Sequence, residues 1–411
     1  MNATGTLAGG SGTDTLILSN SGNIAGATVS GFENLSVAEN GSATISVAQL
    51  SSFTGTVSGS GSESLTLSGD GDITTISAIE SYTLSDDSTN ARTVTVSNTN
   101  HSVTATSTSD AVTFDLGSLT YTGTITGDNT TADTLSLGSG ADITAATING
   151  VSNLTIESGA NVAMTVSQHQ NFNGTLTASG SETITLSGDG DITALTGIEN
   201  YLVGDDSSNT RTITILSGTT SVTANSTSDA ITFAIGGSAY SGILTGDSSV
   251  ADSLLVTDGA DVSGGVFNSI GTLSLASGAS VAVDAENLND FTTGITGSTG
   301  IETLNLMDGG TFDFATTNVT GIEGISIGTN NVATINLTDN FNADTQTVSV
   351  TNTTGSAITA DLVIDASAFV GDVLEITAAD FDGADTMIGG SGADTFRPGG
   401  GTDTITGNGG N

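Results

Sequence analysis

Four short stretches of this chain bring together the residue types that bind a hard cation. Gly9 to Ile17 reads GGSGTDTLI, Asp380 to Ile388 reads DFDGADTMI, Gly389 to Arg397 reads GGSGADTFR, and Pro398 to Thr406 reads PGGGTDTIT. The stretch from Gly389 fits the nonapeptide G-G-x-G-x-D-x-U-x, where U is a large apolar residue. Six residues of such a unit make a tight glycine turn, with backbone carbonyls and one aspartate directed inward. The next three make a short strand whose apolar member enters a core. Two units close a coil of eighteen residues, so Asp385 and Asp403 are expected to stack on one edge and Asp394 to lie on the other. Carboxylates and carbonyls together form an oxygen cage that suits Ca²⁺ better than a transition metal. The expected ligands are Gly10, Gly12 and Asp14 near the start, and Asp382, Asp385, Gly389, Ser391, Asp394, Gly400 and Asp403 near the end. Stacked carboxylates repel and glycine turns are entropically costly, so cation binding and folding are expected to be coupled.

Degenerate versions of the same chemistry recur along the chain. Asp128 with Asp133, and Asp247 with Asp252, occupy the place of the first nonapeptide in later repeats. Gly69-Asp70-Gly71-Asp72 and Gly188-Asp189-Gly190-Asp191 have the carboxylate and glycine density of a Ca²⁺ loop. Aspartate and glycine are also ordinary residues of solvated turns, which is the competing reading of these positions.

Catalytic groupings are scarce, and the chain is expected not to be an enzyme. There is no HExxH, no P-loop lysine and no cysteine nucleophile. His101 and His169 lie in polar sequence and are expected to be exposed. Arg92 and Arg211 are repeat equivalents, expected to be structural and to pair with Asp87 and Asp206, while Arg397 is expected at the surface. Glu33, Glu80, Glu199 and Glu323 each precede a strand and are expected to accept backbone N–H bonds at corners. The aligned Tyr82, Tyr121, Tyr201 and Tyr240 are expected to pack in the core or at an edge.

The elements that must position these groups are strands. Apolar and small polar residues alternate in bursts such as Thr15-Leu16-Ile17-Leu18, Thr93-Val94-Thr95-Val96 and Thr212-Ile213-Thr214-Ile215, punctuated by Gly, Asn and Asp. Thr66 to Thr74 is copied without change at Thr185 to Thr193, and Thr13-Asp14-Thr15-Leu16 recurs from Ala132 and again from Ala251, each time 119 residues on (132 − 13, 251 − 132). The segments read as an N-terminal turn (1–12), repeat units over 13–131, 132–250 and 251–371, and a nonapeptide region over 372–411. Strand centres fall about every ten residues, which fits either a parallel β-solenoid of about twenty residues per coil or three tandem sandwiches. Small side chains, frequent Gly-Asp corners and the lack of Trp favour an all-β parallel solenoid of about twenty coils.

Composition narrows the partners. The 411 residues hold 44 Asp and Glu against 3 Lys and Arg, a net charge of −41, with no Cys and one Pro. Nucleic acid and anionic lipid both need basic patches that this chain lacks. No apolar run is long enough to span a membrane as a helix, so no membrane insertion is expected. Disulfides and thiolate metal sites are impossible.

The nonapeptides at 9–17 and 380–411 resemble those of the RTX family, the hemolysin-type calcium-binding repeat proteins secreted by bacteria. The Thr, Ser, Gly and Ala-rich, lysine-free body is similar to RTX surface-layer proteins and large RTX adhesins. The resemblance implies a calcium-binding β-roll at the C-terminal end, type I secretion and a place on the bacterial cell surface. It implies a structural protein that self-assembles with identical subunits into a surface layer, with a cell-surface polysaccharide or lipopolysaccharide as a further partner. An adhesin stalk, or the non-catalytic repeat module of a secreted enzyme, are the other expectations. The chain stops inside a nonapeptide and lacks the profile of a cleavable signal peptide, so a piece of a longer polypeptide is expected.

Overall fold

A computed structural model describes residues 2–85, 90–106, 111–128, 132–204, 209–225, 230–248, 251–315, 317–342, 347–370, 373–376 and 380–409. The chain is an all-β parallel solenoid of about 18 turns, with almost no helix. It divides into two compact units, Met1–Ser187 with Gly197–Glu199, and Gly188–Thr196 with Asn200–Asn411. Asp87 and Asp206, the expected arginine partners, lie outside the described residues.

In the first unit, a seven-stranded sheet runs through Gly22–Asn23, Ser42–Ser46, Ser64–Ser68, Ser81–Ser85, Ser102–Ala105, Thr124–Thr126 and Thr147–Asn149. Every pairing in it is parallel and joins one coil to the next. Period-two alternation gives each strand one inward and one outward face. Inward, Ala43, Leu65, Tyr82, Val103, Ile125 and Ile148 stack in register and are buried. Outward, Thr44, Thr66, Thr83, Thr104 and Thr126 form a hydroxyl column. A fully buried aliphatic side chain contributes about 1.5–3 kcal/mol, and each coil obtains that burial from its neighbours, so stability is collective.

The second unit repeats the pattern. An eight-stranded sheet there begins at Ile192–Thr193 and runs through Arg211–Ile215, Ile231–Ile235, Asp252–Val256 and Ile270–Leu275 to Phe341–Asn342. Hydrogen bonds between successive coils span 17 residues at Glu63 and Glu80, 23 at Gly159 and Glu182, 29 at Asn330 and Thr359, and 18 at Asp385 and Asp403. Coils lengthen in the region where the third repeat loses its spacing, and tighten again in the nonapeptides.

Among the described residues three short helices interrupt the strands: α1 (Val47–Ser52), α2 (Val166–Asn171) and α3 (Ala285–Asp290). Sequence reading finds no helix here because six residues carry no usable periodicity. Their caps are legible in hindsight. Ser46 and Thr165 close capping boxes with Gln49 and Gln168, and Asp284 caps α3. The buried Gln49 also donates from Nε2 to the carbonyls of Ile24 and Ala27, both at 2.7 Å. Gln168 does the same to Ile143 and Ala146 at 2.6 and 2.9 Å. A glutamine side chain thus clamps the corner of the preceding coil. Among the described residues no helix is long and apolar enough to cross a membrane.

Truncation of either clamp, Gln49→Ala or Gln168→Ala, leaves two carbonyls without this donor. Each is expected to lower stability by about 1–3 kcal/mol, measured by thermal denaturation followed by circular dichroism. Exposed Ser51→Ala serves as the control, and its effect should be smaller.

Candidate metal centre

The corners of the coils are built from carboxylates that accept backbone N–H bonds from a neighbouring coil. The N–H of Asp14 donates to Glu33 Oε2 at 2.8 Å, that of Glu63 to Glu80 Oε2 at 2.8 Å, that of Glu182 to Glu199 Oε2 at 3.3 Å and that of Glu302 to Glu323 Oε2 at 3.1 Å. The four glutamates singled out by their position before strands therefore do take backbone N–H bonds at corners. Their upstream partners Glu63, Glu182 and Glu302, all buried, were missed by sequence reading. Their available signal is the recurring Gly-x-Glu at Gly61-Ser62-Glu63, Gly180-Ser181-Glu182 and Gly300-Ile301-Glu302.

The nonapeptide region uses the same device. Thr386–Ile388 pairs in parallel with Thr404–Thr406, and the N–H of Asp385 donates to Asp403 Oδ1 at 3.1 Å. The eighteen-residue coil and the stacking of these two aspartates are as expected. Asp394 lies at another sheet, where its Oδ1 accepts the Leu374 N–H at 2.9 Å. Asp382 Oδ1 accepts the Gly400 N–H at 3.0 Å, and the exposed Ser391 donates its own N–H to the Phe369 carbonyl. Asp361, unmarked by any motif, accepts the Ala384 N–H at 3.0 Å. At Gly389 a Cβ would come too close to Asp394 Oδ2, so any side chain there would displace that carboxylate. At the other end, Gly10 and Gly12 take φ of 105° and 133° in the turn before Asp14.

The remaining candidates have visible structural partners. Asp133 accepts N–H bonds from Val112 and Asp128, and Asp252 accepts them from Ile231 and Asp247. Asp72 and Asp191 accept the N–H groups of Thr93 and Thr212, while Asp70 and Asp189 accept side-chain amides of Asn90 and Asn209.

Whether the acidic corners suit a hard cation depends on which oxygens are left over. Asp14 Oδ2, Asp385 Oδ2 and Asp394 Oδ2 are buried without a hydrogen-bond partner, a costly state for a carboxylate that has lost water. All three belong to nonapeptides, where carboxylate and carbonyl oxygens are the set Ca²⁺ prefers, although Glu302 Oε2, at a corner outside them, is left in the same state. Among the described residues no three His, Cys, Asp or Glu side chains converge closely enough to hold a metal by themselves. The residues present therefore fit a cation only with glycine-turn carbonyls completing the donor set.

Burial pushes the Asp385 carboxyl above its ordinary range, with Asp403, Asp361 and Asp382 adding like-charge repulsion. Burial likewise raises Asp252, against the pull of its N–H bonds from Ile231 and Asp247. Glu63 behaves oppositely: burial pushes it up, but N–H bonds from Gly61, Asn40, Ser60 and its own backbone outweigh that and hold it below the usual range.

Other sequence expectations meet mixed outcomes. His101 and His169 are not exposed but buried, a correction with a simple cause: each falls on an inward position. His101 packs 6.0 Å from the Tyr82 ring with Nδ1 2.8 Å from Thr75 Oγ1, and burial lowers its pKa. His169 sits on α2, where burial lowers it to about 4. All four tyrosines are core residues whose hydroxyls meet backbone, Tyr82 at Ile76, Tyr201 at Leu195, Tyr121 at the His101 carbonyl and Tyr240 at the Thr220 carbonyl. Arg92 and Arg211 are buried and donate to the carbonyls of Gly69 and Gly188 at 3.2 Å, and Arg397 is exposed.

No family model matches the chain, and no curated protein or solved structure matches it.

The pH response of the two kinds of acid follows from their shifts. A raised acid contributes stability below the ordinary aspartate value, near 3.9, and loses it as pH rises through its folded value. A lowered acid contributes above the ordinary glutamate range and loses it as pH falls through its folded value. In chelator, amide exchange at Leu362, whose N–H bonds Asp385 Oδ1 at 2.8 Å, is expected to slow on mild acidification once the intrinsic rate is corrected. Asn40, bonded to Glu63 at 2.9 Å, should loosen only under stronger acid. Hydrogen-exchange mass spectrometry reads both, and Asp385→Asn should abolish the first response.

Proposed function

We propose that this chain is a calcium-dependent structural segment of a self-assembling layer on the bacterial cell surface. The observation that supports it most directly is the set of buried, partnerless carboxylate oxygens of Asp14, Asp385 and Asp394 in nonapeptide corners. The parallel solenoid is compatible with an RTX-type repeat protein, and the nonapeptides resemble that family in sequence. Asp385 and Asp403 would hold Ca²⁺ on one edge with carbonyls of the turns, Asp382 and Gly400 standing beside them. Asp394 would act with the Gly389 turn on the other edge, and Asp14 with Gly10 and Gly12 at the first coil. The ion supplies positive charge where the fold stacks carboxylates, and this chain's own role is to hold those oxygens in register.

Such a chain suits export followed by setting outside the cell. Extracellular modules with weak sites fill at the calcium levels found there, and remain empty at cytosolic levels. With 44 acidic side chains against 3 basic ones, a chain without bound cations repels itself. Lateral contact between identical subunits would then depend on the same cations that quiet that repulsion.

A Ca²⁺ titration followed by far-UV circular dichroism, with Mg²⁺ as control, is expected to show β-structure gained or stabilised by Ca²⁺ alone. Electron microscopy at saturating Ca²⁺ should show sheets. A chain fully folded in chelator and indifferent to Ca²⁺ would overturn the calcium reading, and persistently monomeric chains would overturn the layer reading. Asp394→Ala with Asp403→Ala should weaken the calcium response at least about tenfold, some 1.4 kcal/mol, and loosen residues 373–409 more than the earlier coils, read by hydrogen exchange.

A further inference from the structure

The outer face of the seven-stranded sheet in the first unit carries no charge, although the chain as a whole stands at −41. Its middle column is Thr44, Thr66, Thr83, Thr104 and Thr126, paired in register from coil to coil. One flanking column is Ser or Thr at 42, 64, 81, 102, 124 and 147, and the other is Ser at 46, 68 and 85. All of these residues are at least partly in solvent, and no register shift interrupts the columns. Ser42 bonds Asn20 and Ser46 caps α1. The five hydroxyls of the middle column take no protein partner among the described residues. The fold does not require hydroxyls here. In the next repeat, 119 residues on, Thr44, Thr83, Thr124 and Thr147 become Ala163, Leu202, Ile243 and Val266.

The ladder fixes the spacing of the array. Neighbouring coils lie about 4.7–4.9 Å apart, and alternate residues along a strand about 6.6 Å apart. β-branching restricts χ1, which favours one orientation of hydroxyl and methyl down the threonine column. Most ligand classes find nothing to hold on such a face. Ions and charged polymers need opposite charge, and protein partners favour aromatic residues, Met and Arg over Ser. Sugars commonly stack on aromatic rings, of which the three columns have none. Water remains, and the array meets it as a regular lattice. Each hydroxyl can donate and accept, and each threonine methyl orders the water against it. The oxygens on a prism face of hexagonal ice repeat at a similar pair of distances. We propose that this threonine-centred face binds ice. The proposal goes beyond layer assembly and does not depend on it.

The full chain in Ca²⁺ buffer is tested by nanolitre osmometry, which reads the interval between melting and freezing of a single crystal, and by its partition into slowly grown ice. The expected result is arrested growth with faceted crystals, and enrichment of the chain in the ice. Thr44→Ala with Thr83→Leu installs the residues already carried at 163 and 202, and should lose both effects while circular dichroism stays unchanged. Should that variant misfold, Thr104→Tyr decides, a single bulky residue on the outer side of the middle column with the same expected loss. Thr214→Tyr, between the buried Ile213 and Ile215 on an outer face of the second unit, should behave as the parent chain does. A folded parent chain that neither arrests growth nor enters ice would overturn the proposal, as would folded variants equal to it. Equal loss from Thr214→Tyr would overturn the assignment to this face. Binding to powdered cellulose without effect on ice would overturn ice as the occupant in favour of a crystalline polysaccharide. Sheets in electron microscopy without ice binding would overturn this proposal alone and leave the layer reading standing.

Discussion

The structure depends on a single recurring contact, in which a carboxylate at a coil corner accepts a backbone N–H from the adjacent coil. A parallel solenoid satisfies strand N–H groups through its ladders, but the corners between strands have no ladder. Backbone donors there need acceptors, and an unpaired buried N–H is costly. Acidic side chains supply those acceptors here, at Glu33, Glu80, Glu199, Glu323 and Asp403 in turn. The same choice stacks negative charge along the molecule. Where N–H donors are plentiful, as around Glu63, they hold the carboxylate ionised against the cost of burial. Where donors run short and aspartates crowd, as around Asp385, burial and repulsion win.

That imbalance connects fold to proposed function. Corners rich in N–H donors are self-sufficient, as at Asp133 and Asp252, where both carboxylate oxygens are used by backbone. Nonapeptide corners leave one oxygen over at Asp14, Asp385 and Asp394, and so does the body corner at Glu302. A cation is the plainest way to complete them, and its effect on stability would be concentrated there. The body of the chain rests instead on stacked aliphatic columns, glutamine clamps and buried tyrosines whose hydroxyls are answered by backbone.

Much of this was legible before any coordinates. Period-two alternation with glycine punctuation specifies strands, and the 119-residue recurrence specifies a repeated architecture. The eighteen-residue spacing of Asp385 and Asp403 specifies that they stack. Spacing also marked Glu33, Glu80, Glu199 and Glu323 as corner acceptors. Burial of the histidines was not legible, since a polar stretch such as Asn98 to Ser102 gives no sign of which residue turns inward. The short helices escaped for a related reason: a six-residue helix is held by its cap and its clamp, and the clamp's targets lie more than twenty residues upstream.

By itself, then, the sequence determined the β character, the repeat and the order in which acids return to the same corner, because these follow from local periodicity and spacing along one chain. Tertiary structure alone decided that the coils stack in parallel, which carboxylate oxygens are answered by an N–H and which are not, and which polar side chains are interior. Those outcomes depend on the coil above and the coil below, and coil lengths between 17 and 29 residues decide which residues face one another.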